Sequence, residues 1–352
     1  ADLFVVGVAR HAEHVIGVLH AANLASAARA GNANRDPAGA PSPFPSGRVA
    51  SRVPRRAVTG CPEPAPQRRR PMASYDDDTP LSLAHLSELE VPPAALAGMA
   101  AAAGFASIGV RAMPAMSGGL CYPLHEPGPR AALRRALAEA GIGLLCIELI
   151  PLDRATDPDA FRPAIEAGAE LGAGRVVVTG DDPDPGIVAQ KMAALCDIAA
   201  PLGMAVDIEF MPFRAVAGLA DALGVVARVR RPNAHVLVDA LHVFRSRSDL
   251  ALLARTPPPL IGGLQLCDAA AVAPEGAAEL AEEARMRRLL PGDGALDLRA
   301  LIAALPAAAP LGIEVPLAGR FPSMHPAERL ATLARAARTY LRRAVARPDN
   351  EE

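Results

Sequence analysis

The stretch VDALHVFRS, residues 238–246, begins as a run fit for a buried strand and ends in an acid, an imidazole and a guanidinium, Asp239, His242 and Arg245. A strand that runs out onto such side chains is the sequence mark of a parallel α/β sheet, whose ligands sit beyond the C-terminal strand ends. The same grammar recurs outward from it. Strand-like runs fall at LSLAH (81–85), SIGVR (107–111), GLLCIEL (143–149), RVVVT (175–179), MAVDIE (204–209), HVLVD (235–239), IGGLQL (261–266) and LGIEV (311–315). Between them lie Ala/Leu-rich stretches such as PRAALRRALAEAG and VAGLADALGVVARV, several with Asp or Pro in front and Gly behind, the usual start and stop chemistry of helices. Eight βα units in about 265 residues fit a closed (β/α)8 TIM barrel. An open doubly wound sheet fits less well, because the first βα turn, AHLSELEVPP, has no glycine-rich phosphate loop.

The barrel is expected over residues 75–347, with a short tail at 348–352. Residues 1–74 differ in character: ten Arg against four acids, and stretches such as NRDPAGAPSPFPSGR and CPEPAPQRRRP that show no sustained period. They read as a disordered N-terminal extension. Its opening, LFVVGVARHAEHVIGVLHAANLASAARA, fits an amphipathic helix, and its Arg-rich, acid-poor continuation resembles a transit peptide, whereas Arg10, His11, Glu13 and His14 interrupt any signal-peptide apolar core.

Composition narrows the partners. A formal charge of −2, three Tyr, eight Phe and no Trp leave neither a basic footprint nor stacking platforms for nucleic acid. No uninterrupted apolar run is long enough to span a membrane. Five cysteines without a C-x-x-C pair suit a reducing cytoplasm. Lys191 is the only lysine and falls mid-helix in IVAQKMAALCDIAA, which argues against a Schiff-base mechanism.

The strand ends carry the chemistry. They read His85 with Glu88, Arg111, Glu148, Thr179 with Asp181 and Asp182, Glu209, Asp239 with His242, Gln265 with Asp268, and Glu314. The last four strands each deliver an oxygen-bearing side chain to one rim: Glu209, Asp239, Gln265 and Glu314. Three carboxylates and an amide oxygen suit a hard or borderline divalent metal ion, Mg, Mn or Co. Without a cation, converging carboxylates push one another's pKa values up.

DIEF, VDALH, LQLCD and GIEVP, in this order, together with LLPGDGALDL (289–298), resemble the xylose isomerase-like TIM barrels, the sugar phosphate isomerase/epimerase group, over about residues 81–345. The resemblance implies that Glu209, Asp239, Gln265 and Glu314 hold the metal and that His242 touches substrate. Gln265 departs from the histidine usual there and is similar to the metal site of the 3-dehydroshikimate dehydratase branch. An amide oxygen, harder than imidazole, tilts the preference toward Mg or Mn.

The expected activity is a metal-dependent isomerase or epimerase acting on a small hydroxy-ketone or sugar substrate, by α-proton abstraction and a metal-stabilised enediolate. Glu209 and Glu314 are the candidate acid/base pair. Arg287 and Arg288 are candidate clamps for a carboxylate or phosphate, His85 and Glu148 are candidate pocket residues, and Asp268 a candidate partner that orients a ligand. One alternative is a lyase that expels a β-hydroxyl, as a dehydratase does. A second is a barrel that binds without turnover. Homo-oligomerisation is left open by the sequence.

Overall fold

The strands close into one all-parallel barrel in sequence order: β1 (Leu81–Leu83), β2 (Ser107–Arg111), β3 (Gly143–Leu152), β4 (Arg175–Gly180), β5 (Ala205–Glu209), β6 (Ala234–Asp239), β7 (Ile261–Leu266) and β8 (Leu311–Ile313). Closure is made by β8 on β1, Leu81 opposite Leu311 and Leu83 opposite Ile313. The computed structural model describes Tyr75 and residues 78–305 and 309–345. The chain divides into Ala1–Gln67, none of which is among the described residues, and Arg68–Glu352, which holds the barrel. The extension expected over residues 1–74 and the tail at 348–352 therefore lie outside the described residues. Among the described residues, no helix is long and apolar enough to cross a membrane.

The helices are α1 (Pro93–Ala103), α2 (Pro127–Ala140), α3 (Arg162–Glu170), α4 (Pro185–Ala199), α5 (Leu219–Val229), α6 (Ala240–Arg245), α7 (Leu250–Arg255), α8 (Ala277–Met286), α9 (Leu298–Ala304) and α10 (Pro326–Val345). Their boundaries follow local chemistry. Asp184, Asp239, Asp249 and Asp297 each accept a backbone N–H of the first helical turn that follows them. Gly104 and Gly141 end α1 and α2 in the left-handed conformation. Leu, Ile, Val and Ala on the outer strand faces pack against these helices as the main core.

The inner faces follow the two-residue strand period. Cys146 and Glu148 on β3, Val177 and Thr179 on β4, Asp207 and Glu209 on β5, Leu237 and Asp239 on β6, and Gly263 and Gln265 on β7 share one side of their strands. Cys146, Leu149, Val177, Met211 and Leu237 form a small apolar cluster of their own, apart from the outer core. Beneath the rim a second charged group is buried. Asp207 is paired with Arg175, whose Nη2 lies 2.7 Å from Asp207 Oδ1 and 2.9 Å from His235 Nδ1. Burial alone would raise the Asp207 pKa, but its bonds to His235 and Arg175 hold it below the ordinary value. Gly262 leaves room for this group, since a Cβ there would stand 2.5 Å from both Arg175 Nη2 and Asp207 Oδ1.

Two strands are shorter than the sequence pattern suggests. β1 stops at Leu83 and β8 at Ile313, so His85 opens a 3-10 turn (His85–Glu88) and Glu314 is the first residue past its strand. The cause is Ser87. Its hydroxyl donates to Ile313 O at 3.4 Å and accepts from Val315 N at 3.0 Å, so a side chain takes over where the β1–β8 ladder parts.

Candidate functional site

At the C-terminal mouth of the barrel, β5 presents Glu209 and β6 presents Asp239, with His242 one helical turn later. Asp239 does double duty. Its Oδ1 accepts the His242 backbone N–H at 3.0 Å, capping α6, which fixes the imidazole beside the carboxylates. His242 Nε2 lies 3.7 Å from Glu209 Oε1, and the ring meets Phe213 edge-on with centroids 5.6 Å apart. One ligand atom from each of Glu209, Asp239 and His242 lies within 4.8 Å of the others, close enough to share a metal ion. Gln265 sits opposite Asp239 in the β6–β7 register and opposite Gly312 on β8.

All of these side chains are buried, and several buried atoms have no protein partner: Glu209 Oε1, both ring nitrogens of His242, Gln265 Oε1 and Glu148 Oε1. Buried polar groups normally find a partner, so this concentration of unsatisfied polar atoms marks a place built for something the chain itself does not supply.

Electrostatics lead to the same place. Burial, then the charges of Glu314 and Asp239, push Glu209 well above the ordinary carboxylate range. Glu314 is pushed up to about 7, by burial first and against the pull of Arg288. Burial drives His242 down to about 4, so its imidazole is neutral and free to act as a ligand or acceptor. Asp239, whose burial would raise it, is held below its usual value chiefly by Arg288.

The cavity above this cluster has a volume of about 580 Å³, the size of a small-molecule site. Glu148, Glu209, His242 and Glu314 line it, whereas Gln265 lines a separate void of about 30 Å³ in the barrel interior.

Several side chains singled out in the sequence stand elsewhere than expected. Arg288 is no free clamp. Its Nη1 donates to Asp239 at 2.5 Å and its Nη2 reaches Glu314 at 2.8 Å, while its Nε donates to Ala284 O at 2.8 Å. Arg287 does not line the cavity, because its guanidinium is turned to the surface toward Glu279 at 3.3 Å and Glu282 at 3.7 Å. His85 is also outside the cavity lining. Its Nδ1 accepts the Arg111 backbone N–H at 2.9 Å and its Nε2 donates to Val91 O at 3.0 Å, so both ring nitrogens hold backbone. Asp268 accepts from the backbone N–H of Ala269, Gly292 and Leu296, which makes it the staple of the 289–296 loop rather than a partner of a rim ligand. Arg245, from the opening stretch, braces α6 against α8 through two 2.7 Å contacts to Glu283. Lys191 lies on α4, away from the cavity.

Four cavity arginines were given no role by sequence reasoning: Arg111 at the end of β2, Arg214 in the loop after β5, Arg285 on α8 and Arg329 on α10, the last paired with Glu88. Arg111 carried a signal, as a charged residue at a strand end. Arg214 and Arg285 carried none, since each sits in an ordinary polar loop or helix.

A divalent ion fits this donor set. Four buried carboxylates, Glu148, Glu209, Asp239 and Glu314, face a single buried guanidinium in ion-pair contact, that of Arg288, and hard oxygen donors remain unsatisfied among them.

The family model of the xylose isomerase-like TIM barrel matches residues 98–344. A search of curated proteins gives no match. Among solved structures, a xylose isomerase-like TIM barrel/4-hydroxyphenylpyruvate dioxygenase fusion protein is 21% identical at a TM-score of 0.63; the match covers 76% of this chain and 43% of the fusion, less than half its length. The probable 3-DHS dehydratase AsbF from Bacillus anthracis is 13% identical, with 74% of this chain and 98% of that one covered at a TM-score of 0.58. The D-allulose 3-epimerase from Methylomonas sp. is 16% identical, with 75% and 97% covered at a TM-score of 0.55. At these identities the likeness to each is one of fold.

Proposed function

The chain belongs to the xylose isomerase-like TIM barrel family, and from that premise we propose that its barrel mouth is a divalent-metal-dependent isomerase or epimerase site for a small hydroxy-ketone or sugar. Glu209, Asp239, Gln265 and Glu314 hold the ion, and His242 stands beside them as a fifth donor or as a contact to a substrate oxygen. The observation that carries the reading is the set of buried, partnerless atoms, Glu209 Oε1, Gln265 Oε1 and the two His242 nitrogens, together with the approach of Glu209, Asp239 and His242 close enough to share one ion. A bound divalent ion supplies Lewis acidity to the carbonyl whose α-proton is removed.

The residues do the rest. Among the described residues Glu209 is paired with no cation, its near neighbour His242 being a neutral imidazole, so its carboxylate is the stronger candidate for the base. Glu314, bound by Arg288, is the candidate for returning the proton. Delivery to the other face of the same carbon gives epimerisation, and delivery to the neighbouring carbon gives isomerisation.

Gln265 favours one second reading, a dehydratase, because this donor set is similar to that of the dehydratase branch and a structural neighbour carries that name. Proton NMR in heavy water, with Mg-loaded protein and a panel of ketoses, hydroxypyruvate and 3-dehydroshikimate, separates the two. Solvent deuterium entering a carbon next to a carbonyl without loss of water supports the isomerase or epimerase. A new alkene or aromatic signal moves the assignment to the lyase, and no change across the panel, with no cation bound on titration, leaves a binding barrel.

A further inference from the structure

Five arginines line the cavity, and three of them are matched: Arg329 with Glu88, Arg288 with Asp239 and Glu314, and Arg214 with Asp181. Two are not. Among the described residues neither Arg111 nor Arg285 makes an ion pair, although Glu148 is the register neighbour of Arg111 on β3. Arg111 is only 8% exposed, and its Nε is buried without a partner. Arg214, which also reaches Ala115 O at 3.5 Å, leaves its own Nε buried and unpartnered. Arg285 is exposed at the mouth, and the pKa of its guanidinium is lowered by partial burial and then by the positive charges of Arg214 and Arg111. Like charges thus line one cavity, with donors left over. A guanidinium buried without an anion is costly, and forked N–H donors match the planar oxygens of a carboxylate or the tetrahedral oxygens of a phosphate.

We propose that the substrate carries an anionic group, a carboxylate or a phosphate, that docks between Arg111 and Arg285 with Arg214 beside them. The inference rests on reading this cavity as the substrate site, and it makes the substrate an acidic or phosphorylated hydroxy-ketone rather than a neutral ketose. It also relocates the clamp expected from the sequence. Arg285 and Arg288, three residues apart, share the cavity side at the end of α8, where Arg287 is turned away.

Calorimetric titration of the metal-free full chain at low ionic strength, with inorganic phosphate and separately with pyruvate, tests the proposal. One saturable site for at least one of the two is expected, and which anion binds tells phosphate from carboxylate. Arg285→Gln weakens it about tenfold, as does Arg111→Met, each losing a charge-assisted contact. Arg287→Gln, which removes the same charge from the same helix end, leaves it unchanged. Arg285 is exposed, so its variant keeps the fold even if Arg111→Met does not. No saturable binding of either anion, or an equal loss in Arg287→Gln and Arg285→Gln, overturns the proposal. The outcome is separable from the reaction assigned above, because neither metal nor turnover enters. Deuterium exchange into a neutral ketose without anion binding sinks the anion site alone, whereas anion binding without exchange in any neutral, acidic or phosphorylated hydroxy-ketone sinks the reaction alone.

Discussion

The Arg288 guanidinium lies 2.8 Å from the Glu314 carboxylate, and through its other terminal nitrogen it also reaches Asp239, so a permanent cation is built into the carboxylate cluster of the barrel mouth. Arg288 is 3% exposed and its own charge is strongly held by Asp239 and Glu314, burial notwithstanding. Removing one partner of a buried ion pair leaves the other uncompensated, at a cost of about 3–5 kcal/mol. Arg288→Met should therefore lower the unfolding free energy of the metal-free protein, taken from urea titration, by an amount on that order. Bound Mn should restore part of the loss, so the midpoint shift on adding Mn becomes larger in the variant than in the wild type. An equal Mn shift in both proteins would show that Arg288 and the ion do not share the work of neutralising Asp239 and Glu314.

Glu209 and Glu314 differ in their company, and their variants should differ too. Glu209→Gln takes the candidate base away and should cut turnover by about 10²–10⁴-fold or more. It also removes a buried carboxylate that Glu314 and Asp239 repel, so the metal-free protein should be no less stable than the wild type. Glu314→Gln should cut turnover as well, but it strips Arg288 of one of its two carboxylates and should cost stability. Turnover near the wild-type rate in both variants would remove the proposed pair, and urea midpoints read the stability difference directly.

Gln265→His exchanges an amide oxygen for an imidazole at the position opposite Asp239. Metal binding should survive, with the preference moving from Mg or Mn toward Zn or Co, because nitrogen is the softer donor. Competition titrations of wild type and variant with Mn and Zn measure this. Loss of all metal binding would mean that Gln265 has been wrongly placed in the ligand set.

Most of the fold was written in the alternation of the sequence. A strand has a two-residue period and a barrel has an inside, so MAVDIE and HVLVD told which carboxylates face inward before any contact was known. One ligand atom from each of Glu209, Asp239 and His242 lies within 4.8 Å of the others. Pairings across the chain were not legible. Arg288 and Asp239 are separated by 49 positions, and nothing in EEARMRRLL distinguishes the residue that turns inward from the neighbour that turns out. His85 misled for a related reason: a histidine at a strand end reads the same whether it faces ligand or caps backbone, and here Arg111 N–H and Val91 O claim both of its nitrogens. Ser87, which ends the β1–β8 ladder, acts through a hydroxyl on a residue 226 positions away, which no local pattern encodes.

The engaged state of His85 has a consequence for acid stability. Burial, the largest influence, and the Arg111 charge lower its pKa from 6.5 to about 4, against the opposing pull of Val91 O. Between those two values the unfolded chain binds a proton that the folded protein refuses. Stability from this group is therefore fully present above pH 6.5, declines as pH falls, and is fully lost below about 4. The shift corresponds to about 3 kcal/mol. His242 is lowered to about 4 as well and adds a slope of the same sign, so the wild type alone cannot isolate His85. His85→Asn keeps an acceptor for the Arg111 N–H and removes the titration. It should be less stable than the wild type at pH 7.5, where the donation to Val91 O is missed, and the gap should close by about 3 kcal/mol as pH approaches 4. Urea midpoints of both proteins from pH 8 to pH 4 give the two slopes, and parallel curves would show that His85 takes up a proton as readily in the folded chain as in the unfolded one.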